Sequence, residues 1–305
     1  MTDTAGDEGG HSVPYLTPDA FRQALKERIA EAASSDSRHI PEIRRRFAYS
    51  RFLYRVFASE DSRWVLKGAT GLLARIPSRA RHSLDIDLMR RDDMGEAIKL
   101  LQVLGHQHAD TDFFTFDVQL QREPALDAPN AALSATAYLG EREFERFKID
   151  LVVESNMTAE PEYVSPMEPV EIAGLRSVPY LVYPLVDHIA DKHAAMLDDY
   201  RGWPSTRYRD LVDLAIIAGA ESVSAAALSA ALHSEYEHRH IQAPAVVTLP
   251  SDAWIQGYEQ AAKDVANLPE RTAEQALELV RKLLNPILAG RKTGTWNPSE
   301  ADWTD

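Results

Sequence analysis

The chain of 305 residues contains no cysteine. That excludes a disulfide framework, a thiol nucleophile, a thiolate zinc site and an iron–sulfur cluster. Positive charge is also scarce, with 33 Lys+Arg against 47 Asp+Glu and a formal net charge of −14. Such a balance gives no broad attraction for nucleic acid, so any such partner must be met by a local basic patch. Long apolar runs are missing too. The longest, around Leu211 to Ala220, is broken by Asp213 and falls short of the ~18 residues of a membrane span. Met1 to Gly10 is polar and acidic, unlike a secretory signal, so the expectation is a cytoplasmic protein with no membrane partner. What is present suffices for a sizeable core: 45% hydrophobic and 8% aromatic residues. The length suits one large domain or two moderate ones.

Residues 1 to about 15 read as a flexible tail. Thr17-Pro18-Asp19 supplies a cap, a first-turn proline and an early acid, which start a helix running to about 34. A second helix is expected over 41–59, then a short strand at 64–66, a helical turn from 68 to 75, an alternating strand at 84–89 and a helix over 93–104. Period-two alternation marks strands at 114–121, 132–139 and 144–153, with shorter ones at 170–172 and 178–182. After Pro184 the period becomes helical, with helices at 184–200, 206–220, 222–237, 252–267 and 271–289 and an irregular tail. The sequence therefore predicts an α+β chain. A mixed α/β domain with N-terminal helices (1–183) precedes a helical bundle domain (184–305).

The most informative segment is Lys67-Gly68-Ala69-Thr70 followed by Arg81-His82-Ser83-Leu84-Asp85-Ile86-Asp87-Leu88. Residues two apart on a strand share a face. Ser83, Asp85 and Asp87 therefore project together while Leu84, Ile86 and Leu88 bury the other side. Two carboxylates on one face repel, so one must be protonated or both neutralised by a cation. Mg²⁺ is the usual occupant beside a nucleoside triphosphate. A solvated polar face is the plainer reading of a bare Asp-x-Asp. Gly68, Ala69 and Thr70 follow an apolar strand and open a helix, where backbone N–H groups and the Thr70 hydroxyl can hold phosphate. Farther on, Phe147, Ile149, Leu151 and Val153 form a buried strand face, leaving Asp150 on the other, placed like a third catalytic acid. A Gly/Thr loop, an Asp-x-Asp strand and a later strand Asp together resemble the nucleotidyltransferase superfamily.

The helix after Pro184 puts Lys192 close to the apolar stripe of Leu185, Ile189 and Met196, so its ammonium either snorkels or meets an anion. A phosphate is one partner and Asp210 another. On the following helix Arg207 and Asp210 border the buried face, while Asp213 is read as turned away. Asp210 is thus the expected inward acid, or else an ordinary partner of Arg207.

With both runs in hand, the sequence resembles the AbiEii-type nucleotidyltransferases, toxins of type IV toxin–antitoxin (abortive infection) systems that include the mycobacterial MenT group. The motifs carrying this are Gly68-Ala-Thr, Arg81-x-Ser83-x-Asp85-Ile-Asp87-Leu, Lys148-Ile-Asp150-Leu, Asp191-Lys192 and Arg207-Tyr-Arg209-Asp210-Leu-x-Asp213-Leu. The family has two glycines where this chain has Gly68-Ala69. The resemblance implies an NTP donor, Mg²⁺ held by Asp85 and Asp87, and transfer of NMP to RNA, the tRNA acceptor end in characterised members, which stops translation. It further implies a cognate antitoxin. By the same carry-over Gly68, Thr70, Arg81, Ser83 and Lys192 surround the nucleotide, and Asp210 and Asp150 support catalysis. A phosphate placed on Ser83 would set about 1.5–2 negative charges against both aspartates.

RNA binding by so acidic a chain needs a basic patch. The densest is Arg44-Arg45-Arg46 with Arg51 and Arg55, interleaved with Phe47, Tyr49, Phe52 and Tyr54. The plain alternative is a solvated helix face. His106-x-His108-x-Asp110 and His238-x-His240 read as surface histidines, and Trp203, Trp254 and Trp296 as packing residues. Competing functions are a small-molecule nucleotidyltransferase of the aminoglycoside type, a glycosyltransferase using Asp85-x-Asp87, and a non-catalytic interaction protein.

Overall fold

The computed structural model describes residues 14–36, 40–59, 63–81, 83–108, 112–122, 129–153, 156–200, 202–265 and 267–305. Most of the expected N-terminal tail, and Asp110, lie outside the described residues. Helices α1 (Pro18–Asp36) and α2 (Ile40–Phe57) precede β1 (Trp64–Lys67), α3 (Gly68–Arg75), β2 (Asp85–Arg90) and α4 (Met94–His106). Strands β3 (Phe114–Leu120), β4 (Asn130–Leu139), β5 (Arg142–Val152), β6 (Glu162–Val164) and β7 (Tyr180–Val182) follow. The second half holds α5 (Leu185–Leu197), a hairpin of β8 (Asp199–Tyr200) and β9 (Trp203–Pro204), and α6 (Tyr208–Ala218). It ends with β10 (Val223–Ser224), α7 (Ala225–His238), α8 (Ala253–Ala262), α9 (Ala273–Leu288), β11 (Thr295–Asn297) and β12 (Asp302–Thr304).

The fold is α+β. Seven strands form one sheet in the order β3-β4-β5-β2-β1-β7-β6. β2 runs parallel to β5 and β1 parallel to β7, while β1 and β2 are antiparallel. Local sequence sets the helix starts. Thr17 Oγ1 accepts from the Ala20 amide ahead of Pro18, Asp93 accepts from Glu96 N at 3.1 Å, and Thr272 with Gln275 forms a reciprocal capping box. The expected strand at 170–172 is not a strand. Where an irregular tail was expected, β11 and β12 pair with each other and with β10, which stands at the start of the expected 222–237 helix, and the indole N–H of Trp296 donates to Ala218 O at 2.8 Å.

Buried apolar side chains fall into two main clusters. One joins α1, α2, α4 and the seven-stranded sheet. The other joins α5 through β12. α3 belongs to both, giving Leu73 and Ala74 to the first and Leu72, with Ile76 just past its end, to the second. Among the described residues no helix is long and apolar enough to cross a membrane.

The basic cluster of α2 is not one exposed surface. Arg51 and Arg55 are buried and converge on Asp112, with Arg51 Nε and Arg55 Nη2 each 2.7 Å from its carboxylate. The Phe114 amide donates to the same group at 2.9 Å. Burial alone would raise the Asp112 pKa, but Arg55 and Arg51 overcome it and hold the carboxyl below its ordinary value. Arg46 is buried as well. Arg44 lies over the Phe144 ring at 4.9 Å, and Arg44 and Arg45 approach Glu145 at 3.6 and 3.9 Å. The cause is pairing with acids remote in sequence.

Removing the shared acid leaves two buried guanidinium groups without a countercharge. Asp112→Asn should lower unfolding stability by about 3–5 kcal/mol, read from urea denaturation midpoints. A second expectation concerns His193 of α5, fully buried with Nδ1 2.6 Å from the Tyr236 hydroxyl of α7. Burial pushes its pKa down to about 4, whereas the unfolded chain protonates near the ordinary ~6.5. Between those values the unfolded state binds the extra proton, so stability should fall as pH drops from about 6.5 towards 4. His193→Gln should flatten that slope in thermal melts.

Candidate active site

β1 ends at Lys67, and the chain turns into α3 through Gly68, whose φ is +58°. A Cβ at this position would stand 1.8 Å from Asp87 Oδ2, so glycine is required both by the left-handed backbone and by the carboxylate packed against it. Pairing of β1 with β2 sets Lys67 opposite Asp87. Parallel pairing of β2 with β5 sets Asp87 opposite Asp150 and Asp85 opposite Lys148. The three expected acids therefore come together on neighbouring strands. They line one cleft of about 640 Å³ together with Lys67, Gly68 and Lys192.

Crowding and burial show in their titration. Burial first, then Asp85 and Asp150, push the Asp87 carboxyl up to about 7. Burial and Asp85 also raise Asp150. Lys67 is driven the other way by burial, with Nζ 4.1 Å from the centre of the Tyr183 ring.

Thr70 stands differently from expectation, whereas Ser83 lies beside Asp85 as the shared strand face implies. The Thr70 hydroxyl, fully buried, donates to the backbone carbonyl of Asp85 at 2.6 Å. It fastens α3 to β2 rather than facing the cleft. The Ser83 hydroxyl donates to Asp85 Oδ1 at 2.7 Å, so Ser83 fixes the carboxylate. β2 begins only at Asp85; Leu84 therefore lies outside the pleat and is 57% exposed instead of buried.

On the helical side, Lys192 is buried with Nζ 2.6 Å from Asp213 Oδ2 and 3.2 Å from Asp210 Oδ1. Asp213 also takes Arg81 at 3.0 Å, and Asp210 takes Arg207 Nε at 2.6 Å. Asp213 is thus an inward acid as much as Asp210. From Asp210 to Ala218 every residue of α6 is buried, which leaves no outward face for Asp213, and positions three apart are neighbours on a helix. Burial opposes the charge of Lys192, but Asp213 and Asp210 raise its pKa. His188 is pushed well down by burial and by Lys192, and stays neutral.

Several cleft residues carried no sequence signal for a site. Arg239 hydrogen-bonds Asp191, Glu235 at 2.6 Å and Asp198 at 2.8 Å. Asn156 donates to Glu235 at 3.3 Å. Only the i, i+4 spacing of Glu235 and Arg239 was visible beforehand, and it marks an ordinary helix pair. Among the described residues no three carboxylate or imidazole side chains close into a ready-made metal cage. Asp85 and Asp87 supply two oxygen-donor groups at the cleft.

A glycine turn packed on a strand aspartate, a second acid two residues before it and a third on the adjoining strand make the layout of a nucleotidyltransferase. The chain can be placed more narrowly. The family model described as Nucleotidyl transferase AbiEii toxin, Type IV TA system, matches residues 51–289, and the chain belongs to that family. Among solved structures it is similar to MenT4, nucleotidyltransferase toxin Rv2826c from Mycobacterium tuberculosis H37Rv, at 19% identity and a TM-score of 0.48, with 90% of this chain and 99% of that chain covered. No curated protein matches the chain.

The Gly68 turn yields a direct test. In Gly68→Ala the new methyl displaces the Asp87 carboxylate, so nucleotidyl transfer should fall on the order of 10²-fold. The backbone strain should cost only about 1–3 kcal/mol. A normal circular-dichroism spectrum with lost activity is the expected pair of readings.

Proposed function

We propose that the protein is a Mg²⁺-dependent nucleotidyltransferase toxin that moves a nucleoside monophosphate from an NTP onto RNA, with the tRNA acceptor 3′ end as target and translation arrest as the outcome. Carrying this reading is one observation: Asp85, Asp87 and Asp150 share a cleft with a buried lysine on the facing helix.

The residues fit a hard divalent cation. Their donors are carboxylate oxygens, and the upward push on Asp87 from burial and its acidic neighbours is a strain that a cation relieves. Two protein carboxylates completed by phosphate oxygens is the usual Mg²⁺ arrangement. Bound by Asp85 and Asp87, Mg²⁺ would neutralise the phosphates and align them for in-line displacement.

The remaining work falls to the chain. Gly68 lets the Asp87 carboxylate pack against the start of α3, where backbone N–H groups unpaired in the first turn can meet a phosphate. Lys67 places a cation at the same rim. Lys192 has three N–H donors and spends two on Asp210 and Asp213, so one remains for a phosphate oxygen. Asp150, its pKa raised by burial and Asp85, takes the proton of the attacking RNA hydroxyl. The hydroxyl oxygen bonds to the α-phosphorus, the bond to the bridging oxygen breaks, and pyrophosphate leaves. The type IV toxin–antitoxin assignment of the family supports a cognate antitoxin, and tRNA as target places the action in the cytoplasm.

Purified protein incubated with each labelled NTP, Mg²⁺ and total RNA should label RNA, with the label running at tRNA size. Asp85→Ala and Asp87→Ala should each lower labelling on the order of 10³-fold, and EDTA should abolish it. Label on an added aminoglycoside rather than on RNA would overturn the acceptor assignment. No transfer from any NTP would overturn the enzymatic one.

A further inference from the structure

A second hollow of about 530 Å³ opens beside the cleft, walled by Arg81, Arg207, Tyr208, Arg209, Gln260 and Asp264 among others. Arg81, Arg207 and Asp210 line both spaces, so the two adjoin across these side chains. Asp85, Asp87 and Asp150 line only the cleft. The hollow therefore lies on the far side of the arginines from the acids that suit a cation-bound triphosphate.

Its walls are basic and aromatic. Arg209 is exposed and makes no hydrogen bond or ion pair among the described residues. Arg207 gives only Nε to Asp210, and its side chain is 61% exposed; its terminal nitrogens are unpaired among the described residues. Of the acids present, Asp210 is already matched by Lys192 and Arg207, which leaves Asp264. The Tyr208 ring lies flush against α8, where a Cβ on Gly257 would come within 2.4 Å of it, and it meets Trp254 edge-on with ring centres 5.2 Å apart.

Trp203, on the hairpin just before this wall, corrects an expectation. It is no packing residue: it is 75% exposed, while Trp64, Trp254 and Trp296 have no exposed surface and Trp303 only 8%. It sits on the short hairpin that leads into α6, three residues before Thr206 on the hollow's wall, hence at most about 11 Å away along the chain. An uncovered indole a few residues along the chain from unpaired guanidinium groups offers what an unpaired RNA strand needs, a ring for the base and cations for the phosphates.

The geometry points to this surface as the seat of a single-stranded RNA 3′ end, with a base stacked on Trp203 and phosphates held by Arg207 and Arg209. The terminal hydroxyl passes Arg81 into the cleft towards Asp150. This rests on the RNA-acceptor reading above and names the part of the molecule that would deliver it.

Trp203 is the one exposed tryptophan, so a stacked base reaches its ring alone, and the part of the quench lost in Trp203→Ala reports the site. Titration with a short single-stranded RNA oligonucleotide should quench emission, and a blunt RNA duplex should not. Trp203→Ala should abolish the quench and raise KM for RNA about tenfold, with KM for NTP unchanged; Trp203→Phe should restore most of the RNA affinity. Arg209→Glu should weaken RNA binding and lower the salt slope of log affinity by about 1. Unaltered RNA KM in both Trp203→Ala and Arg209→Glu, in protein that transfers nucleotide to RNA, would overturn the assignment. So would equal quenching by a polyglutamate peptide, which would mark a protein-docking surface. If single-stranded RNA quenches and the variants respond while no NTP is transferred, the RNA seat stands and the catalytic reading fails.

Discussion

Burying a lysine ammonium is costly unless acids meet it, and the two halves of this molecule are joined around one such charge. Lys192 of α5 is held by Asp210 and Asp213 of α6, and those acids are held in turn by Arg207 and Arg81. Arg81 lies just before the strand that carries Asp85 and Asp87. The alternation of signs thus runs from the helical half to the entrance of the acidic strand. Three cations against two acids leave that row at 3 − 2 = +1, facing the carboxylates of β2 and β5 across one cleft.

The acidic side is built by strand register rather than by loops. Parallel pairing of β2 with β5 brings Asp87 level with Asp150, and antiparallel pairing with β1 brings Lys67 level with Asp87. The Ser83 and Thr70 hydroxyls pin Asp85 from its side chain and from its carbonyl. Rigid elements hold the charges in place, and that pre-set position is what electrostatic catalysis draws on.

Legibility in the sequence followed the range of the physics. Asp85, Asp87 and Asp150 could be read because a strand's period of two is a local rule, and Lys192 because a cation on an apolar stripe conflicts with its surroundings. Asp213 escaped because a helix-face argument presumes a wet side, and α6 has none past Asp210. The run of arginines on α2 misled because its partners, Asp112 and Glu145, arrive from distant parts of the chain. Strands of two or three residues, such as β10 to β12, carry too few side chains for any period to show. Trp203 was misjudged because composition ranks tryptophan as buried, and only the hairpin's position leaves it uncovered.

α3 spans eight residues, too few to persist as an isolated helix, and its apolar side chains are divided between two cores. During synthesis from the N-terminus, a nascent chain that has emerged only as far as β7 therefore has no second core to seat Leu72 and Ile76, and lacks Lys192 altogether. The cleft is complete only after α5 and α6 have emerged and set Lys192, Asp210 and Asp213 against the acidic strands.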